Sequence, residues 1–309
     1  MMKKLGLATA LLLAMTGAQA YQFEVQGQSE YIDATLNDKD FTGSVAGTYY
    51  YKNVDSSKGP LAEAAFLNQA SNISLAYTYG NLDLGADRTL SLDTEAHTYG
   101  VKGEAYIPTS VIPLYTSAAY SHTKTDTDIS EFGTKLGSIE NNGDRYALEL
   151  GALLAPNFLV AVGYANIADP FALDANNIMS NGILKTVGEA ATAGFTNQRL
   201  SQDIVTARTK YVGPVDGTNA SVGFEAAMMH ADSNNAYQLK TDVYFTPKFS
   251  VGASYAESNF TDVVDSAWGA NINYFITPAV AVGASYVNAN AVGIDADTQT
   301  LGVNAKFRF

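Results

Sequence analysis

The constraint that most narrows the fold is a period of two, plainest in the last stretch of the chain, TQTLGVNAKFRF (Thr298 to Phe309). Leu301, Val303, Ala305, Phe307 and Phe309 take alternate positions, with Asn304, Lys306 and Arg308 between them. Successive side chains of a strand point to opposite faces, so this strand has one oily flank and one cationic, polar flank. A soluble sheet lays its oily flank on a core. A membrane barrel turns that flank to lipid and keeps the wet one inside. The choice depends on whether the rest of the chain repeats the pattern.

Fourteen segments repeat it, most of them near the ten or so residues a tilted strand needs to cross a bilayer. Tyr21 to Thr35 sets Tyr21, Phe23, Val25 and Tyr31 against Gln22, Glu24, Gln26, Gln28 and Glu30. Thr42 to Lys52 sends Val45, Tyr49 and Tyr51 to the oily side. Asn72 to Asp83, Ser91 to Ile107 and Leu114 to Thr125 follow; in the second, Tyr99, Val101, Ala105 and Ile107 alternate with Lys102 and Glu104. Gly143 to Leu154 places Arg145 and Glu149 opposite Tyr146, Leu148 and Leu150. Phe158 to Asn166 and Asp203 to Val212 come next, with Arg208 and Lys210 inward. Ser221 to Ala231, Ala236 to Phe245, Phe249 to Ser258, Ser266 to Ile276, Val280 to Asn288 and Thr298 to Phe309 complete the set. An even number of strands returns both termini to one side of a membrane, as in single-chain bacterial barrels.

The turns agree. Ala155-Pro156-Asn157-Phe158, Thr246-Pro247-Lys248-Phe249 and Thr277-Pro278-Ala279-Val280 each end an apolar strand and open a Gly- and Tyr-containing one (VAVGYA, SVGASYA, AVGASYV). Proline fixes φ and has no N–H to lose, which suits a tight turn. Short alternating strands also build soluble sandwiches, but that would require polar faces as rich as QEQQE to be solvated on sheet after sheet.

The first twenty residues, MMKKLGLATALLLAMTGAQA, read as a secretory leader: Lys3 and Lys4, an apolar run from Leu5 to about Met15, then Ala18-Gln19-Ala20. Cleavage is expected after Ala20, leaving residues 21–309 as one outer-membrane barrel. Beyond the leader no run of about 20 apolar residues suggests a membrane helix. The chain has no cysteine, and its 18 Lys and Arg stand against 31 Asp and Glu. Without Lys3 and Lys4 the count is 16 against 31, a net charge of −15. That excess disfavours nucleic acid, which needs a basic footprint. The 19 Tyr, 14 Phe and 26 Gly suit the girdles and crowded faces of such a barrel.

Two connections break the regularity. Asn53 to Ser71 falls where a short periplasmic turn is due, yet it is far longer. It carries a small helix signature: Gly59, then Pro60 at the first helical position, then Glu63 early in the helix. Leu61, Ala64 and Ala65 recur at helical spacing beside Phe66 and Leu67. A helix so small and apolar needs cover, and the nearest cover is the lumen. Ile167 to Gln202, an extracellular loop by parity, is too rich in residues such as Phe171, Ile178, Leu184 and Phe195 for disorder.

The start YQFEVQGQSEY, the segment GPLAEAAFLNQAS and the terminal FRF resemble the general porins of Gram-negative outer membranes, and within them a small fourteen-stranded gated channel. The likeness spans essentially the whole mature chain. It implies passive passage of water and small hydrophilic solutes through a narrow lumen. It also implies that the long periplasmic turn and the long extracellular loop fold inward as obstructions. Pro60, Leu61, Glu63, Phe66 and Leu67 are then the gate residues. A terminal Phe309 further implies recognition by the machinery that inserts barrels.

The expected fold is therefore all-β, a transmembrane antiparallel up-and-down barrel of 14 strands. Its expected lining includes Lys102, Glu104, Arg145, Glu149, Arg208, Lys210, Glu225, Lys240 and Asp242, with Lys306 and Arg308. Both signs occur, so weak charge selectivity is expected, with a mild cation preference from the acidic total. The plainer alternative is that these charges only pair across strands. Trp268, Tyr274 and Phe309 are expected as membrane-interface anchors, along with Tyr164, Phe245, Tyr255 and Tyr286. Outer-membrane lipid and lipopolysaccharide are the surrounding partners, and with no flat apolar wall for a trimer contact a monomer is expected.

No catalytic set, cofactor or metal site is expected. His97, His122 and His230 lie on three strands, and no GxSxG, HExxH or Cys/His cluster occurs. A surface-protease-like site of His122 with Asp126 or Asp128 is the enzyme alternative; Asp295, Asp297, Asp126 and Asp128 read as solvated loop carboxylates before they read as Ca²⁺ ligands. The alternative function is a closed barrel acting as an adhesin or host-contact surface through Ile167 to Gln202.

Overall fold

The computed structural model describes residues 20–34, 37–87, 90–167, 202–231, 234–259, 264–291 and 297–309. Fourteen strands close into one antiparallel barrel in which each strand pairs with its sequence neighbours and β1 with β14. They are β1 (Ala20–Ala34), β2 (Asn37–Asp55), β3 (Asn72–Asp87), β4 (Leu90–Ile107), β5 (Leu114–Glu131), β6 (Thr134–Ala155) and β7 (Phe158–Ile167). The second half is β8 (Gln202–Pro214), β9 (Ser221–Ala231), β10 (Asn234–Thr246), β11 (Phe249–Ser258), β12 (Val264–Thr277), β13 (Val280–Ala291) and β14 (Asp297–Arg308). The seam runs from Glu24 opposite Arg308 to Ala34 opposite Thr298. Closure matters because an open edge in lipid would leave backbone donors and acceptors without partners.

The alternation expected from the sequence is the alternation of the wall. Leu75, Leu148, Leu150, Val162, Leu301 and Val303 are exposed on the outside, while Glu24, Thr78, Thr98, Arg145, Glu149 and Arg308 are buried on the inside. The three proline turns are two-residue connections, each preceded by a register shift, at Leu153/Ala155, Tyr244/Thr246 and Phe275/Thr277. The glycine of the VAVGYA strand has a packing reason. A Cβ on Gly163 would sit 2.7 Å from the Leu148 carbonyl and 3.0 Å from Glu149 Cγ, so glycine leaves room for the inward Glu149.

Three local expectations need correction. Tyr21 does not share the outer face of Phe23: the register shifts between them, and Tyr21 turns inward to pack on Tyr50 and Val54. The segment from Asp126 to Asn142 is not a loop, because β5 and β6 continue through it to a turn at Phe132 and Gly133. Its apolar residues, Ile129, Phe132, Leu136 and Ile139, fall three and four apart rather than at alternate positions, so a period of two could not reveal it. Asp126 and Asp128 accordingly stand on a strand. The segment between β2 and β3 is also more compact than a full helix. A 3-10 turn at Leu61–Glu63 leads into the single turn α1 (Ala64–Leu67), and Pro60 precedes the first helical residue with ψ 129°.

Candidate functional site

The segment between β2 and β3 lies inside the barrel, at the end where β1 begins and β14 finishes. Leu61, Ala64 and Phe66 are buried and Leu67 is partly so. Three apolar contacts spread it across the mouth. Phe66 packs among Tyr115, Leu153, Leu159, Ala161 and Val212, from β5 through β8. Leu61 packs on Phe275 of β12 and Ala281 of β13. Ala64 and Ala70 lie against Tyr21, Tyr50 and Val54 of β1 and β2. Burying side chains such as Leu61 and Phe66 contributes roughly 1.5 to 3 kcal/mol each, and this explains why so short a helix can persist here.

Polar contacts fix the same plug. The Leu61 N–H donates to the Pro247 carbonyl at 2.8 Å, and Gln69 Nε2 reaches the Pro156 carbonyl at 3.4 Å. Two of the three proline turns therefore latch it. Arg308 donates from Nη1 to the Leu61 carbonyl at 2.8 Å and from Nε to Glu24 at 2.7 Å. Its guanidinium lies between the rings of Tyr21 and Phe275, 4.6 and 4.7 Å from their centroids. Glu63 meets Lys210 Nζ at 2.8 Å and accepts from the Tyr244 hydroxyl at 2.7 Å. Burial alone would raise the Glu63 carboxyl, but Lys210, Tyr244 and Lys240 outweigh it and hold it down to about 2. Gly59 (φ 148°) and Gln69 (φ 49°) bracket the plug with left-handed backbone.

A collar of ion pairs surrounds it. Lys102 pairs with Glu104 at 3.0 Å, and Lys210 also holds Glu225 at 2.6 Å. Lys240 pairs with Asp242 at 3.2 Å and Lys306 with Glu24 at 3.1 Å. Arg208 grips Glu149 through Nε at 2.7 Å and Nη2 at 3.0 Å, and Nη2 also donates to Tyr115 at 2.9 Å. Each nominated lining residue thus sits on the inner face; Arg145 does so higher on β6, and is buried there. Between plug and collar lies a cavity of about 280 Å³, bordered by Glu63, Phe66, Lys102, Glu104, Arg208 and Lys210.

Several residues here went unnominated: Tyr115, Tyr244 and, as an ion-pair hub, Glu24. Tyr244 shares the inward phase of Lys240 and Asp242, a signal the sequence did carry. The histidines stay apart. His122 meets Asp144 at 2.9 Å on the outer face rather than Asp126 or Asp128, His97 bonds the Tyr77 hydroxyl, and His230 bonds Asn235.

Outward aromatics form two levels. Phe309 stacks on Phe23 at 5.6 Å at the plugged end, with exposed Tyr274 and Phe245 at the same end. Further along the strands, Trp268 packs on Tyr286 at 5.4 Å, Tyr77 on Tyr99 at 5.1 Å and Tyr120 on Tyr146 at 5.2 Å. The loop predicted at Ile167 to Gln202 and the leader fall, except at their ends, outside the described residues.

Comparison with solved structures gives the Acinetobacter baumannii outer membrane protein Omp33, 49% identical, with a TM-score of 0.66, covering 95% of this chain and 100% of that one. The Ralstonia pickettii toluene transporter TbuX shares the fold at 8% identity, with a TM-score of 0.57 and 95% and 90% of the two chains covered. No curated protein matches the chain. The sequence pattern of one family, described as "Putative general bacterial porin", matches residues 2–309. A closed fourteen-stranded barrel, a wet charged interior and that match over nearly the whole length agree: the chain is an outer-membrane channel belonging to the general bacterial porin family.

Proposed function

We propose that this channel is gated, passing water and small hydrophilic solutes when residues 58–69 withdraw from the periplasmic mouth. The observation that carries the reading is how the plug is held. It crosses the mouth on side-chain and hydrogen-bond contacts to β1, β5 through β8, β10 and β12 through β14, and its only covalent ties are its two ends. Left-handed residues sit near both ends, where a hinge would act. A fourteen-stranded wall is wide enough to need such an obstruction, since eight strands fill themselves with side chains and sixteen leave a water channel. The two aromatic levels then mark the membrane interfaces, and the leader is removed after Ala20 in this reading.

Deletion of Lys58 to Gln69 tests this in liposome swelling with sugars of graded size. The deletion should raise flux strongly and admit larger solutes than the full chain does. Flux equal to that of the full chain from a folded deletion barrel would reject the plug as a gate.

A further inference from the structure

Glu63 occupies what is, chemically, a carboxylate site. Its two oxygens have separate donors, Lys210 Nζ on Oε2 at 2.8 Å and the Tyr244 hydroxyl on Oε1 at 2.7 Å, and both donors belong to the wall, on β8 and β10. The Lys210 and Glu63 side chains are 18% and 13% exposed, so little water competes. The Phe66 ring lies 5.1 Å from Lys210 Nζ and closes the seat from the plug's side. From the lumen the same pair borders the cavity, so a solute descending the barrel reaches Glu63 and Lys210 together.

The charges around the plug sharpen this. Its ion pairs join six cations, Lys102, Arg208, Lys210, Lys240, Lys306 and Arg308, to six carboxylates. Glu63 is the one carboxylate of the six that the wall does not supply. Withdrawing the plug therefore takes Glu63 from the collar and leaves the collar's six cations behind; the plug's own cation, the exposed Lys58, lies outside these ion pairs. Lys210 keeps Glu225 at 2.6 Å but loses its second carboxylate, and Tyr244 loses its acceptor, so both are left with a donor aimed at the vacated place.

We propose that Lys210 and Tyr244 form a carboxylate-binding seat at the constriction, filled by Glu63 when the channel is closed and by small carboxylate solutes when it is open. The open channel then favours anions, opposite to the mild cation preference suggested by the acidic total, because a constriction selects by its own charge rather than by the charge of the whole chain. The inference rests on the gated-channel reading.

The test is the zero-current potential of the Lys58-to-Gln69 deletion in planar bilayers, with potassium chloride and then potassium acetate across a gradient. Chloride and acetate should be preferred over potassium roughly threefold or more, because without Glu63 the collar holds six cations against five carboxylates. Adding Lys210→Gln should bring the ratio toward one while conductance persists. Tyr244→Phe, which keeps the ring and loses only the hydroxyl, should weaken acetate passage more than chloride passage. A folded, conducting deletion barrel that prefers potassium, or one whose preference survives Lys210→Gln, overturns the seat and leaves the gate intact. A folded deletion barrel that carries no current overturns the gate, and the seat with it.

Discussion

Two ion pairs of nearly equal length sit at opposite ends of this barrel. Lys210 and Glu63 meet at 2.8 Å in the plugged mouth, and Lys135 and Asp128 meet at 2.6 Å on the β5–β6 hairpin. The first pair is 18% and 13% exposed, the second 56% and 46%. Distance cannot tell them apart, but burial can. An exposed pair is screened and contributes about 0 to 1 kcal/mol, whereas removing one partner of a buried pair costs roughly 3 to 5 kcal/mol. The same two chemical groups are thus a latch at one end and surface decoration at the other.

The comparison can be pressed hardest with Phe66→Ala, which empties the pocket among Tyr115, Leu153, Leu159 and Val212 and removes the ring beside Lys210 while leaving both members of every ion pair in place. Large-to-small changes of this kind cost about 3 to 5 kcal/mol. Channel opening should rise at least a hundredfold in single-channel recordings, while the heat-resistant mobility of the folded barrel on gels is unchanged.

Glu63 gives the next effect. Its carboxyl lies below the ordinary 4.5, at about 2, so the charged form is the one the docked state favours. Its contribution, on the order of 3 kcal/mol, is complete above the ordinary value, declines as pH falls below it, and is gone once pH passes about 2. Leak through the full chain should therefore be flat from pH 7 to pH 5 and rise only below about pH 4.5. Glu63→Gln should show the raised leak already at pH 7.

The smallest effect belongs to the exposed pair. Asp128→Asn should change stability by less than about 1 kcal/mol in urea unfolding and leave flux unaltered. A large effect there would mean that the far end of the barrel is more than a solvated extension.

What the sequence revealed follows the same division. Strand number, inward phase and the three proline turns were legible because lipid enforces a strict period of two wherever the wall crosses it. That enforcement lapses beyond the membrane. The outer parts of β5 and β6, DTDISE and TKLGSIENN, carry only scattered apolar residues with no period of two and read as a loop. Tyr21 was misplaced for a local reason, a register shift opposite β2 that phase counting cannot see. The plug segment stood out by its length and oiliness. Its partners did not, because the meetings of Glu63 with Lys210 and Tyr244, or of Arg308 with the Leu61 carbonyl, depend on where a closed ring brings distant strands.

The central claim, that current passes where the plug sits, can be tested by tying the plug down. The chain has no native cysteine, so Ala62→Cys with Ala281→Cys, two positions in the cluster around Leu61 and Phe275, can be joined by a short bismaleimide in the Phe66→Ala background. Joining them should silence the current that Phe66→Ala opens, and either cysteine labelled singly should leave it running. A joined barrel that conducts as freely as the unjoined one would show that solutes take another path, and the account would be wrong.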